Sequence, residues 1–277
     1  MRDIGFDEIA GAVAQMCTAA CCSLPQDVLD ALQRAQSAEE GRAAWMLELL
    51  LKNARMAADA RRPCCQDTGM AVVLADLGRD VHLTCDLYEA VNEGVRRGYG
   101  EGWLRKSVLT PLTRENTKDN TPAVVHLRLT AGDRLRLTLM PKGFGSENRS
   151  RLAMLNPSDG QAGVEAFILE TARLGAASAC PPVVLGVGVG GTFEGCALLA
   201  KRQLARPLGQ PSDDPLLADM ERRLLEEINA LGIGPGGLGG KTTALAVHIA
   251  QMPTHIAGLP VAVNVQCHAM RHQEVVL

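Results

Sequence analysis

The sequence predicts an α+β protein whose first quarter is helical and whose remainder mixes helices with antiparallel β-hairpins. Three observations lead there. Apolar residues recur at helical spacing through residues 1–62. Two alternating apolar segments, residues 124–130 and 134–140, flank Ala131-Gly132-Asp133 and read as a hairpin. Helical and strand patterns never settle into the strand–helix–strand period of a parallel sheet.

Taken in order, Phe6 and Asp7 read as a hydrophobic staple and N-cap, with Ile9, Val13 and Met16 following at helical spacing. Cys17 and Cys21 share a face of this helix, and with alanine around them they read as packing. Pro25 opens a second helix over residues 26–32. Ser37 with Glu40 forms a capping box for a third, through Trp45, Leu47, Leu50 and Met56 to about Arg61. Pro63 stops it. Residues 70–74 read as a short buried strand and 87–97 as a helix. The polar stretch 98–120, holding Arg105, Arg114, Asn116 and Asn120, is long for a loop, and such loops are commonly functional. After the hairpin come a glycine-bearing loop at 141–148, a helix at 163–177 and a strand at 183–185. Helices at 192–204 and 215–231, a glycine-rich stretch at 232–240 and two strands at 243–249 and 259–265 close the chain.

Of the 277 residues 47% are apolar and 21% charged, with net charge −3, ordinary values for a soluble globular protein. Lysines and arginines are scattered and aromatic residues make up only 3%, which argues against nucleic-acid binding. The acidic, amphipathic amino terminus is no secretory signal and no apolar run spans a bilayer, so a cytoplasmic protein is expected. Nine cysteines leave at least one unpaired. In a reducing compartment their use as metal ligands or in catalysis gains weight over disulfides, although any single one reads by default as a small buried hydrophobe.

Two glycine motifs mislead. Gly186-Val187-Gly188-Val189-Gly190-Gly191 fits G-x-G-x-x-G, yet it lies far along the chain and opens no dinucleotide-binding unit. It reads as a tight strand-to-helix turn with close backbone packing. Gly236 through Thr242 resembles a Walker A loop, but Pro235 stands where the first glycine is needed and the strand–loop–helix order is reversed. A loop whose backbone N–H groups cradle an anion is still compatible with it.

The chemistry concentrates in Cys64-Cys65-Gln66-Asp67-Thr68-Gly69, where thiols, an amide, a carboxylate and a hydroxyl end on a glycine. Cys180, before two prolines, and Cys267, within Val-Gln-Cys-His-Ala, also sit at the edges of apolar segments. None belongs to a C-x-x-C pair, which argues against a zinc ribbon; thiolates that converge only in the fold suit an iron–sulfur cluster equally well.

These segments, with Met-Pro-Lys-Gly-Phe-Gly-Ser-Glu-Asn, Ala-Cys-Pro-Pro-Val-Val-Leu-Gly-Val-Gly-Val-Gly-Gly and Pro-Thr-His-Ile-Ala-Gly-Leu-Pro, resemble the class I fumarate hydratases, the iron–sulfur hydro-lyases that include L-tartrate dehydratase. The resemblance runs from about residue 5 to 272 and implies an α subunit. It implies one cluster-binding domain over 1–277, with the family's β domain on a separate chain and an assembly of two α and two β subunits. A 4Fe-4S cluster, a [4Fe-4S] centre held by Cys65, Cys180 and Cys267, would leave one iron open to substrate. Gln66, Arg105 and Gly145 match substrate contacts, and Asp67 and His255 a catalytic pair. The base that takes the carbon-bound proton is expected on the β subunit. Fumarate and L-malate are the expected substrates, with L-tartrate the alternative, because Lys-Thr-Thr-Ala-Leu and Pro-Thr-His-Ile-Ala-Gly-Leu-Pro look like the fumarase side. Without the resemblance, Asp67 reads as a turn cap and His255 as a satisfied loop histidine.

Overall fold

The computed structural model describes residues 2–277. In chain order the elements are β1 (Arg2–Ile4), α1 (Phe6–Cys22), α2 (Gln26–Ala38), α3 (Gly41–Ala60), β2 (Met70–Gly78), β3 (Val81–Leu83) and α4 (Leu87–Glu101). There follow β4 (Val124–Thr130), β5 (Leu135–Lys142), α5 (Phe144–Glu147), β6 (Arg151–Leu155), α6 (Gly160–Gly175), β7 (Val183–Gly190) and α7 (Phe193–Gln203). The chain ends with α8 (Pro215–Ala230), β8 (Ala244–Met252), β9 (Leu259–Gln266) and β10 (Gln273–Val276). Helices then mixed strands and helices are thus as expected. Among the described residues no helix is long and apolar enough to cross a membrane.

Read from sequence as one domain, the chain gathers into two compact units. The first comprises Met1–Pro25, Asn53–Phe144 and Arg271–Leu277. Its sheet has the order β10-β5-β2-β4. Alternate residues of β2 and β5, among them Ala71, Val73, Leu135, Leu137 and Leu139, join Val13, Cys17, Val91 and Tyr99 of α1 and α4 in one core. Period-two alternation on the strands and 3.6-residue spacing on the helices make that face continuous.

The second unit comprises Gln26–Lys52 and Gly145–Met270, with sheet order β6-β9-β7-β8. One face of the sheet, through Leu185, Val187, Val261, Val263 and Val265, packs on Ile168 of α6 and Leu224 and Ile228 of α8. The intervening residues of β7 are glycines, and they face α7. A Cβ on Gly186 would lie 2.3 Å from the Ala200 carbonyl oxygen, and one on Gly188 would lie 2.2 Å from that of Cys196. No side chain fits there, so α7 lies directly on the strand backbone. The G-x-G-x-x-G match is therefore explained by close backbone packing of α7 on Gly186 and Gly188, followed by a tight turn at Gly190 and Gly191, where φ is +87° and +72°.

The hairpin between residues 124–130 and 134–140 does not form. β2 lies between β4 and β5, parallel to the first and antiparallel to the second. The end of β2 enters the Ala131-Gly132-Asp133 turn, where the Gly78 N–H donates to the Arg134 carbonyl at 2.8 Å and the Asp80 N–H to that of Gly132 at 2.9 Å. The closing strands β8 and β9 likewise flank β7 instead of pairing with each other. At the amino end, the cap of α1 is Gly5 and not Asp7. Ser37 caps nothing: it lies in the last turn of α2, its hydroxyl donating back to the Gln33 carbonyl at 3.0 Å.

Candidate active site

The turn from Cys64 to Gly69 is gripped through its carbonyls. Asn53 Nδ2 donates to the Cys64 carbonyl at 2.8 Å, and Arg271 Nη2 to that of Asp67 at 2.8 Å. The Tyr99 hydroxyl lies 2.8 Å from the Thr68 carbonyl and 3.0 Å from that of Gly69, and Asn120 Nδ2 donates to the latter at 3.2 Å. Tyr99 and Asn120 are wholly buried and Arg271 nearly so. Buried polar side chains of this kind are stabilising only when bonded, and bonded they fix one geometry. Gly69 has φ +74°, and a Cβ there would meet the Pro141 backbone at 2.7 Å. Only glycine turns the chain back into β2.

That frame presents Gln66 to solvent and half-buries Cys65 and Asp67. Each Asp67 carboxylate oxygen accepts a backbone N–H at 2.9 Å, Oδ1 from Gly69 and Oδ2 from Phe144. The turn-cap reading is thus literally true of Oδ1, while Oδ2 reaches 77 residues along the chain. Arg105 is tied to the same turn by its backbone, its carbonyl accepting from the Thr68 hydroxyl at 3.0 Å, and its side chain is exposed.

In the second unit, Cys180 has φ +53°, a left-handed conformation that costs a residue with a side chain and recurs at functional positions. Its carbonyl accepts both the backbone N–H of His268 at 3.3 Å and His268 Nδ1 at 3.0 Å. A carbonyl only accepts, so Nδ1 carries the proton. His268, which had no role by sequence, thus ties Cys180 to the segment that bears Cys267. The buried Gln266 places Nε2 3.5 Å from Cys267 Sγ and 3.2 Å from the Ala269 carbonyl. His255 is exposed in the turn between β8 and β9, its Nδ1 accepting from the Ala257 N–H at 3.2 Å. The neutral ring then carries its proton on Nε2, facing away from that bond. Gly145 is exposed on α5, and a Cβ built on it would meet nothing within 4 Å.

The thiols divide by environment. Cys17, Cys21, Cys22 and Cys196 are buried in helices. Burial pushes the Cys21 thiol up to about 12 and raises those of Cys17, Cys22, Cys64 and Cys196. Thiols held protonated are poor metal ligands. Cys65, Cys180 and Cys267 all reach solvent and lie outside helices and strands. Among the described residues no three His, Cys, Asp or Glu side chains stand close enough to share a single metal ion. A cubane spreads its cysteines over separate irons, and each of these thiols, accessible and on a loop, has the chemistry of such a ligand.

The Walker-like loop holds an anion of its own. The buried Glu39 carboxylate accepts the Lys241 N–H through Oε1 at 2.7 Å and the Thr242 N–H through the same oxygen. Lys241 Nζ donates to the Ala38 carbonyl at 3.2 Å. The cradle compatible with the sequence is present, and its occupant is this chain's own side chain.

A sequence profile described as Fumarate hydratase (Fumerase) matches residues 10–276. A Methanocaldococcus jannaschii protein provisionally named L(+)-tartrate dehydratase subunit alpha is 38% identical over 272 residues, 95% of each chain. L(+)-tartrate dehydratase subunit alpha of Escherichia coli strain UTI89 is 32% identical over 253 residues, 90% of this chain and 84% of that one. The protein of the same name from Shigella sonnei matches to the same extent, at 32% identity over 253 residues.

Proposed function

Because the chain belongs to the class I iron–sulfur fumarate hydratase and L-tartrate dehydratase family, as an α-subunit-type hydro-lyase domain, we propose that it is the α subunit of an L-tartrate dehydratase. The observation that carries this reading is the 38% identity over 95% of both chains to a relative of that name. It supports L-tartrate over the leaning toward fumarase drawn from two short segments.

L-tartrate would lose a carbon-bound proton and the hydroxyl on the neighbouring carbon as water, leaving an enol that becomes oxaloacetate. A 4Fe-4S cluster on Cys65, Cys180 and Cys267 would supply an open iron as Lewis acid for the departing hydroxyl. The rest falls to side chains. Arg105 offers a planar fork to one substrate carboxylate. Gln66 offers an exposed amide to the hydroxyl groups, and the bare Gly145 lets substrate meet backbone. Asp67, its carboxylate fixed by two amides, orients the reacting end. His255, protonated on Nε2, carries the proton that leaves with water. The base for the carbon-bound proton would come from a β subunit, in an assembly of two α and two β chains.

The family profile's own description keeps fumarate and L-malate as the second reading. Anaerobic reconstitution with the cognate β chain, followed by turnover of L-tartrate and of L-malate side by side, separates them. Oxaloacetate from L-tartrate at a kcat/KM well above that for L-malate is the expected result. The reverse preference would establish the fumarase reading.

A further inference from the structure

Two backbone segments meet at the Asp67 carboxylate: the turn that bears it, and the end of β5, from which Lys142 and Gly143 lead to the Phe144 N–H. One side chain holds both. Arg271 Nη2 lies 2.8 Å from the Asp67 carbonyl and 3.4 Å from that of Pro141 in β5, and Arg271 is 4% exposed. Its guanidinium also lies beside the Cys64 thiol. Asn53, Tyr99 and Asn120 hold the neighbouring carbonyls of the turn with neutral donors, so Arg271 makes the charge-assisted contact.

We propose that Arg271 is the positioning residue for Asp67: by holding the carbonyls of Asp67 and Pro141 together, it fixes the distance between the Asp67 carboxylate and the Phe144 N–H. The role rests on the reading of Asp67 as part of the hydro-lyase site. The Arg271 contacts on these two segments are to backbone carbonyls, so it acts on the Asp67 carboxylate by positioning it. Lysine would keep the charge without the planar fork, and glutamine would keep a donor without the charge.

The test uses Arg271→Lys and Arg271→Gln in the reconstituted αβ enzyme, together with amide hydrogen exchange on the full α chain. With L-tartrate or L-malate, whichever the wild type turns over, kcat should fall about 10- to 100-fold while KM stays within about threefold, the pattern of a displaced catalytic group. Gly69 and Phe144 amides should exchange at least about tenfold faster, with those of α6 unchanged. On an Asp67→Asn background, Arg271→Lys should cost less than about twofold more, because both act on one group. Wild-type kcat in Arg271→Lys, a loss of kcat without faster exchange at Phe144, or full additivity with Asp67→Asn would each overturn the assignment. If Arg271→Gln does not fold, Arg271→Lys decides. A wild-type enzyme inactive on both substrates would refute the hydro-lyase reading, and the exchange measurement would still decide whether Arg271 holds the turn.

Discussion

The two units contrast in what fixes their backbone. In the first, side-chain donors from α3, α4, the long loop and the carboxyl-terminal segment grip the carbonyls of the turn at 64–69. In the second, backbone lies on backbone: Gly186 and Gly188 of β7 admit α7 to contact. The Thr68 and Gly69 carbonyls each have two donors and can lose a neutral one such as Tyr99 and keep their place, whereas the Asp67 carbonyl depends on Arg271. A glycine contact has no slack. Changes at the turn should therefore register in turnover, and changes at the contact of β7 with α7 in folding.

The sharpest test of that contrast pairs Asp67→Asn with Gly188→Ala. Asp67→Asn, and likewise His255→Ala, should lower turnover roughly a thousandfold, as expected for loss of a proton-transfer or orienting group, with little change in melting temperature. Gly188→Ala should destabilise by about 3 kcal/mol or more, since helix and strand must move apart, and urea unfolding would measure it. Equal stability of the two variants would break the comparison.

His248 gives the second unit a pH signature. Its side chain is buried, its Nδ1 faces the Gln203 carbonyl at 3.1 Å, and burial with the nearby Arg206 lowers its pKa to about 4. The unfolded chain takes up a proton near pH 6.5 while the folded one does not, so stability is full above that value and falls as pH drops toward 4. The loss amounts to about 3 kcal/mol across that window. His248→Gln should flatten it in unfolding measured at several pH values. A slope that survives the substitution would assign it elsewhere.

Smaller effects refine the comparison, one from each unit. Tyr99→Phe leaves the Thr68 and Gly69 carbonyls with Cys21 and Asn120, and should cost about 1 kcal/mol by thermal unfolding. Gly145→Ala should leave stability within about 0.5 kcal/mol, since its methyl meets no protein atom, while raising KM for a substrate seated against that backbone. An unchanged KM would remove Gly145 from the substrate's surroundings.

Much of this was legible in residues 64–69, where side-chain chemistry is written consecutively. Helix cores were legible too, because 3.6-residue spacing through Val13, Leu47 or Leu224 is a local signal. What stayed hidden was non-local. Nothing near Ala131-Gly132-Asp133 announces that β2 will insert between the strands it joins, and alternation alone does not name a strand's neighbour. Arg271, Tyr99 and His268 were missed for the same reason: each bonds to a segment far away along the chain, as does Asn120 of the long polar loop. An arginine four residues after Cys267 was the one available hint.

The Glu39 carboxylate in the Walker-like loop has a further consequence. A ligand that is part of the same chain meets its cradle at an effective concentration of roughly millimolar or above, and a rigid connection raises that figure. Any dissolved phosphate or nucleotide must compete with a carboxylate that never diffuses away. The loop is thus a lock supplied with its own key, closed by tethering where shape alone would have left it open.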